Sequence, residues 1–298
     1  FPQGLAFEIT EDVIEQYVIN AIKPGLIFPQ NLTLRFSTGT ELNTPYTNQY
    51  SLGVEHAVGV HGAWSVGATR ALGYNQVLLR DLNPVVATNA LGIPIHRDPN
   101  VGSIAAIVTE ARTWYSGLDL GWKWRGDNAW YSATYTWSKA IDMAPDPLKG
   151  GISLPPDSDH LSEERGRSDS DRRHRFVLSG AVPVGWLGLR ASGVIHLASG
   201  IPFNVTTGRD ENIDGLTNDR PKGVGRNTGD RTNLKPVNKL RAQEGLSEID
   251  SLDEPTFSQV DLRVSRPFHF KGEKGTGEIF VQIFNVLDRF NAGTLEGA

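Results

Sequence analysis

By residue type and spacing, the positions best suited to chemistry are Asp210, Asn212, Asp214, Asn218 and Asp219. Asp210-Glu-Asn-Ile-Asp-Gly215 matches the first half of a D-x-[DN]-x-[DN]-G loop. In such loops oxygens at alternate positions converge on calcium and the glycine permits a sharp turn. Counting Asp210 as position one, Asn218 and Asp219 stand at nine and ten. Position twelve is Pro221, so the bidentate Glu of an EF-hand is missing, and strand-like sequence flanks the loop where an EF-hand has helices. Two readings stand: a Ca2+ site in a loop, or an Asx-rich turn cluster in solvent.

The second dense run is Glu163-Glu164-Arg165-Gly166-Arg167, continuing through Asp171-Arg172-Arg173-His174-Arg175. Nucleic-acid binding calls for net positive charge with interleaved aromatics. Acidic residues nearly balance this run, so it reads as a self-paired loop leading into a strand, and nucleic acid is not an expected partner. The whole chain carries 29 basic against 34 acidic residues, a net charge of -5, which gives no general drive toward polyanions. With no Cys, thiolate metal sites, disulfides and cysteine nucleophiles are excluded. There is no H-E-x-x-H, G-x-S-x-G or P-loop, and Gly223-Val-Gly225 lacks the third glycine of a dinucleotide fingerprint. The 7 His form no close ligand pair. No catalytic or cofactor-binding residue is assigned, and the chain is not read as an enzyme. Asn31-Leu-Thr33 and Asn204-Val-Thr206 match glycosylation sequons, a short pattern that carries no weight by itself.

The elements that must carry these residues alternate with period two. Tyr50, Leu52, Val54 and Val58 share one face, and Gln49, Ser51, Gly53 and Glu55 the other. Trp114, Leu118, Leu120, Trp122 and Trp124 alternate with Tyr115, Gly117, Asp119, Gly121 and Lys123. The same pattern holds at Tyr131–Ser138, Phe176–Ser179, Leu187–Leu197, Val260–Ser265 and Ile279–Phe284, and more weakly at Trp64–Leu72. Eight such segments mean β-strands with one apolar and one polar face. The polar faces carry Glu55, Asp119, Lys123, Arg190, His196, Asp261 and Arg263.

The connections separate a sandwich from a barrel. Tight turns fall near 59–63, 125–129, 183–187 and 271–277, and long polar segments near 73–109, 138–174 and 206–256. Strict alternation of short and long connections is the habit of a transmembrane β-barrel, with periplasmic turns and extracellular loops. Trp114 and Trp124 share a face about 33 Å apart along a strand. Tilted by about 40°, that strand spans roughly 25 Å, the height of the apolar band between aromatic girdles. No apolar run approaches the roughly 20 residues of a membrane helix. Residues 10–22 read as a short amphipathic helix within an extracellular loop covering 1–45, with barrel strands and loops over 46–290. An eighth strand over 278–290 would run outward and end at the cell surface. Single-chain barrels normally have an even strand number and close in the periplasm. At least one strand is therefore expected after Ala298 and more before Phe1. No basic n-region and apolar h-region open the chain, so a signal peptide is not expected within it.

Six stretches in order resemble the C-terminal barrel of TonB-dependent outer-membrane receptors, specifically the Oar-like group. They are Thr44–His56 (TPYTNQYSLGVEH), Tyr135–Asp142 (YTWSKAID), Glu164–Gly180 (ERGRSDSDRRHRFVLSG), Ala198–Pro221 (ASGIPFNVTTGRDENIDGLTNDRP), Phe257–Phe268 (FSQVDLRVSRPF) and Val281–Asn291 (VQIFNVLDRFN). The resemblance implies an all-β fold: a partial antiparallel transmembrane β-barrel, eight strands of one with about 22. It also implies an outer-membrane location in a Gram-negative bacterium, with membrane lipid, an N-terminal plug domain, TonB and an extracellular ligand as partners. This chain carries no plug, no TonB box and no terminal aromatic strand. Two other classes fit the pattern. One is a small surface barrel or adhesin. The other is a secreted β-protein that stacks glycans on Trp114, Trp122, Trp130 and Trp137.

Overall fold

The computed structural model describes residues 35–37, 42–143, 154–185, 187–228, 233–252, 254–269 and 275–291. The helix expected at 10–22 lies outside them. The strands are β1 (Arg35–Ser37), β2 (Tyr46–Val58), β3 (Gly62–Asp81), β4 (Val85–Thr88), β5 (Pro94–His96), β6 (Ile104–Arg125) and β7 (Trp130–Asp142). They continue with β8 (Gly166–Arg167), β9 (His174–Val184), β10 (Leu189–Ala198), β11 (Phe257–His269) and β12 (Thr276–Ile283). One helix, α1 (Leu234–Gln243), lies between β10 and β11.

Eight strands form a meander in the order β12-β11-β10-β9-β7-β6-β3-β2, every neighbouring pair antiparallel. β1 adds parallel to the top of β6, and β8 pairs with the end of β7. The sheet is not closed: β2 and β12 are its edges among the described residues. Every strand predicted by alternation is present.

Three boundaries differ from expectation. β3 and β6 are 20 and 22 residues long and run well into the segment read as a 73–109 loop. The period breaks where the β3–β6 register shifts, between Gly73 and Gln76 and again before Leu78, with Asn75 at φ 53°. A bulge adds a residue and flips the faces beyond it, which hides the continuation. β12 stops at Ile283, short of 290, because Asn285 turns to φ 50° and its amide bonds Asp261 Oδ1 at 2.9 Å. α1 falls inside the segment read as a loop over 206–256.

Burial shows why the two long strands are built in two halves. Below the bulge the apolar face is the exposed one. Trp64, Val66 and Ala68 are exposed while Ser65, Gly67 and Thr69 between them are half-buried. On β11, Leu262 and Val264 are exposed while Ser265 is buried. Above the bulge the polarity is ordinary: Leu78, Ala106, Val108 and Ala111 are buried with Leu82, Met143 and Leu161 against them. On the opposite face Leu79, Ala105 and Leu154 are buried with Leu216. One pair of strands thus meets two solvents. The lower half offers apolar side chains outward, as a lipid-facing wall does, and the upper half is a small water-excluding core under the long loops.

Candidate functional site: the polar face and its loop collar

Strand parity puts every polar-face residue named above on the side opposite the exposed apolar belt. Across the ladder Gly67, Asp119, Thr136 and Arg175 lie in one register row, and Ser65, Gly121, Thr134, Val177, His196 and Gln259 in the next. Charged side chains on this face find their partners locally, most of them neutral. Asp119 accepts the Thr136 hydroxyl at 2.6 Å. Arg263 bonds Glu278 at 2.6 Å and lies 3.8 Å over the Phe280 ring. Asp261 accepts from the Gln259 amide at 2.9 and 3.0 Å as well as from Asn285. Arg190 donates to the Asn128 carbonyl. His196 packs against Phe257, ring centroids 4.9 Å apart, and its Nε2 is buried without a partner. Toward the loops this face holds a shallow pocket lined by Tyr115, Thr136, Ser138, Asp171, Arg172 and Arg175. Hydroxyls and cations around this concavity suit a polar or anionic group.

Above that pocket the charged run folds onto itself, as its near-neutral composition suggested. Asp171 is fully buried, accepts the Ala140 amide at 2.7 Å and binds Arg167 at 2.8 Å and Arg173 at 3.3 Å. Arg167 also pairs with Glu254. Buried Glu164 takes both terminal nitrogens of Arg220, one at 2.9 Å. Arg226 bridges Asp142 and Asp169, the latter at 3.2 Å. Asn227 donates its side-chain amide to the Arg167 carbonyl and its backbone amide to Asn204 Oδ1, both at 2.8 Å. Residues 142, 164–173, 204, 220–227 and 254, distant in sequence, are thereby bound into one collar. Arg220, Arg226, Asn227 and Glu254 were not singled out in the sequence. Their signal is only the count of unmatched charges in neighbouring loops, and three-dimensional proximity does the pairing.

The 210–219 loop is compact and lies in the same collar. Asp210 accepts the amides of Asp214 (3.0 Å) and Gly215 (2.9 Å), and Asp219 those of Glu211 (2.7 Å) and Asn212 (3.3 Å). Asp214 accepts the Leu216 amide at 2.8 Å and the Asn212 side chain at 3.0 Å. Asn218 donates to the Leu154 carbonyl at 2.8 Å, and its Oδ1 is buried without a partner. The structure therefore gathers Asp210, Asn212, Asp214 and Asp219, with each carboxylate turned toward loop amides. Among the described residues no group of three or more His, Asp or Glu is arranged to hold a metal ion. Burial, aided by the charges of Asp210 and Asp219, raises the Asp214 carboxyl above its usual range.

At the rim, His160 Nδ1 bonds Asp157 at 2.8 Å. That hydrogen bond, then the Asp157 charge, raises the His160 pKa. A raised histidine contributes its stabilisation fully below the unfolded value near 6.5 and loses it as pH climbs through the folded value. Imidazole NMR titration is expected to place His160 above the ordinary histidine range, and Asp157→Asn to bring it back.

No helix among the described residues is long and apolar enough to cross a membrane, which does not bear on strands. No curated protein matches the chain. Among solved structures it is similar to the outer membrane transporter YddB from Escherichia coli, at 12% identity and TM-score 0.47, over 85% of this chain and 30% of that one. It is also similar to the FrpB iron transporter from Neisseria meningitidis, at 12% identity and TM-score 0.45, over 86% of this chain and 29% of that one. The chain therefore spans under a third of the length of either transporter. The family model described as "Outer membrane beta barrel domain" matches residues 16–297. With the outward-facing apolar belt, this identifies the chain as a member of the outer membrane beta barrel domain family, a stretch of barrel wall set in the outer membrane.

Proposed function

We propose that this chain is the C-terminal part of the barrel of a TonB-dependent transporter that takes up an extracellular ligand. The observation that carries the reading is a continuous eight-strand meander, polar toward one face and open at both edges. An unpaired strand edge in hydrocarbon costs several kcal/mol per backbone group, so β2 and β12 would each be paired by further strands of the parent. A wall continued in this way encloses a wide lumen, which the polar face would line and a plug domain would fill. The six family motifs of the sequence supply the link to TonB. In this account the collar captures the ligand, the pocket at Arg172 and Arg175 meets its polar part or the plug, and the plug is displaced through TonB. No residue is assigned a catalytic role.

The test is growth on, or uptake of, candidate ligands by cells lacking the parent gene and by cells lacking TonB. Loss of the same uptake in both supports the reading. Uptake that needs the parent protein but survives loss of TonB would replace it with passive diffusion through a pore.

We also propose that the 210–219 loop takes Ca2+. Repulsion among Asp210, Asp214 and Asp219 favours a cation, and binding would exchange the amide bonds of Asp214 for metal. Calcium is expected to protect this loop from proteolysis in the parent protein, and Asp214→Ala to remove the protection. A loop indifferent to calcium in the unsubstituted protein would end the idea.

A further inference from the structure

We propose that the lipid-facing wall carries a docking site for the phosphorylated headgroup of an outer-leaflet glycolipid, formed by Arg70, Arg112, Lys139 and Arg165. Parity sets two of them on the apolar side. Arg70 is in step with Trp64, Val66 and Ala68, and Lys139 with Tyr135 and Trp137. In register they flank Ser116, in the row Arg70–Ser116–Lys139 across three adjacent strands. Arg70 donates to Ser116 Oγ at 2.7 Å, which draws its guanidinium toward Lys139. Higher on the same face Arg165 lies 4.6 Å over the Trp114 ring, and Arg112 lies 5.8 Å from Tyr74, which stacks on Tyr46 at 5.1 Å.

All four cations are exposed, and none has a carboxylate partner among the described residues. Glu110, two residues from Arg112, is bound by Arg80 at 2.8 Å. A local excess of four positive charges stands out in a chain of net charge -5.

Cations facing hydrocarbon are costly unless their long side chains reach the interface. The Arg70–Lys139 row lies two residues below Trp114, about 7 Å along the strand. That is within reach of an arginine or lysine head extending to the girdle level. The cluster is on the long-loop side of the belt, hence toward the outer leaflet. Aromatic rings and cations without carboxylate partners at that depth match a sugar headgroup carrying phosphates, with acyl chains against Leu118, Leu120 and Val66. Arginine forks bind phosphate oxygens bidentately.

The test uses the complete parent protein in detergent, with purified lipopolysaccharide as the probe. Retained lipopolysaccharide is read by native mass spectrometry and by the shift in thermal unfolding. Binding to the unsubstituted protein is expected, with loss of at least tenfold in affinity when the probe is enzymatically dephosphorylated. Equal binding of the two forms overturns the proposal without any variant. The combined Arg70→Gln, Arg112→Gln and Lys139→Gln variant, provided it keeps heat-resistant folding, should lose affinity at least tenfold. The charge-matched Lys222→Gln, Lys235→Gln, Lys239→Gln control, three exposed lysines between β10 and β11, should not. If the control loses as much, the attraction is diffuse and the site is refuted. Binding of phosphatidylglycerol as tight as that of lipopolysaccharide would assign the cluster to general anionic lipid and overturn the glycolipid proposal.

Discussion

Replacing Leu120 with Arg in the complete barrel is expected to weaken membrane folding by roughly 2–4 kcal/mol, the cost of a cation on the lipid face near mid-bilayer. Leu120 is 40% exposed and stands in register between Val66 and Tyr135, all on the outward side. It falls between Trp114 and Trp124, which mark the two girdles on its strand. The comparison that isolates lipid contact is Thr134→Arg. Thr134 is exposed on the opposite face, opposite Gly121 and Val177. There the new charge meets water or polar groups, and folding into lipid should change little. Folding titrations into vesicles read both variants. Equal costs would mean that the two faces meet the same solvent.

Arg220→Ala is expected to loosen the collar by about 3–5 kcal/mol, the cost of leaving a buried charge unpaired. Glu164 is 2% exposed and its carboxylate is held by both Arg220 nitrogens. Removing Arg220 strands it. Removing both together, as Glu164→Leu with Arg220→Met, should be nearly neutral, since well-packed apolar side chains often replace a buried pair without loss. Hydrogen exchange over 160–173 and 218–228 reads the difference, while the barrel strands stay protected. A single variant as stable as the double would show that the pair does not hold the loops.

The strands were legible because alternation is short-range and the belt imposes it on every strand at once. Trp114, Leu118, Leu120, Trp122 and Trp124 reveal their shared face with no knowledge of neighbours. Legibility ended where the solvent changed. Above the Asn75 bulge both faces of β3 and β6 are covered, by Leu161 on one side and Leu154 on the other, so period two no longer separates apolar from polar. α1 was hidden for a related reason. It buries only Val237 and carries Pro236 in its first turn. Its start depends on Asn233 capping the Lys235 amide at 3.1 Å, a signal weaker than the surrounding polar loop.

In the candidate site the individual charges were visible and the pairings were not. The 165–175 run was recognisable as self-neutralising, yet Arg167 reaches Glu254 and Asn227 reaches back to it across the whole loop system. Arg70 and Lys139 were not singled out in the sequence, although parity sets both among the apolar Trp64, Val66, Tyr135 and Trp137.

β6 and its neighbours are expected to face lipid on one side and an aqueous lumen on the other. The absence of cysteine from these 298 residues makes a single-cysteine scan clean here. Cysteines introduced one at a time at Leu118, Asp119, Leu120, Gly121, Trp122 and Lys123 of the membrane-embedded parent would be challenged with a lipid-soluble and a water-soluble maleimide. The expected result is strict alternation, with 118, 120 and 122 taking the lipid-soluble reagent and 119, 121 and 123 the water-soluble one. Uniform labelling of all six by the water-soluble reagent would contradict the membrane wall.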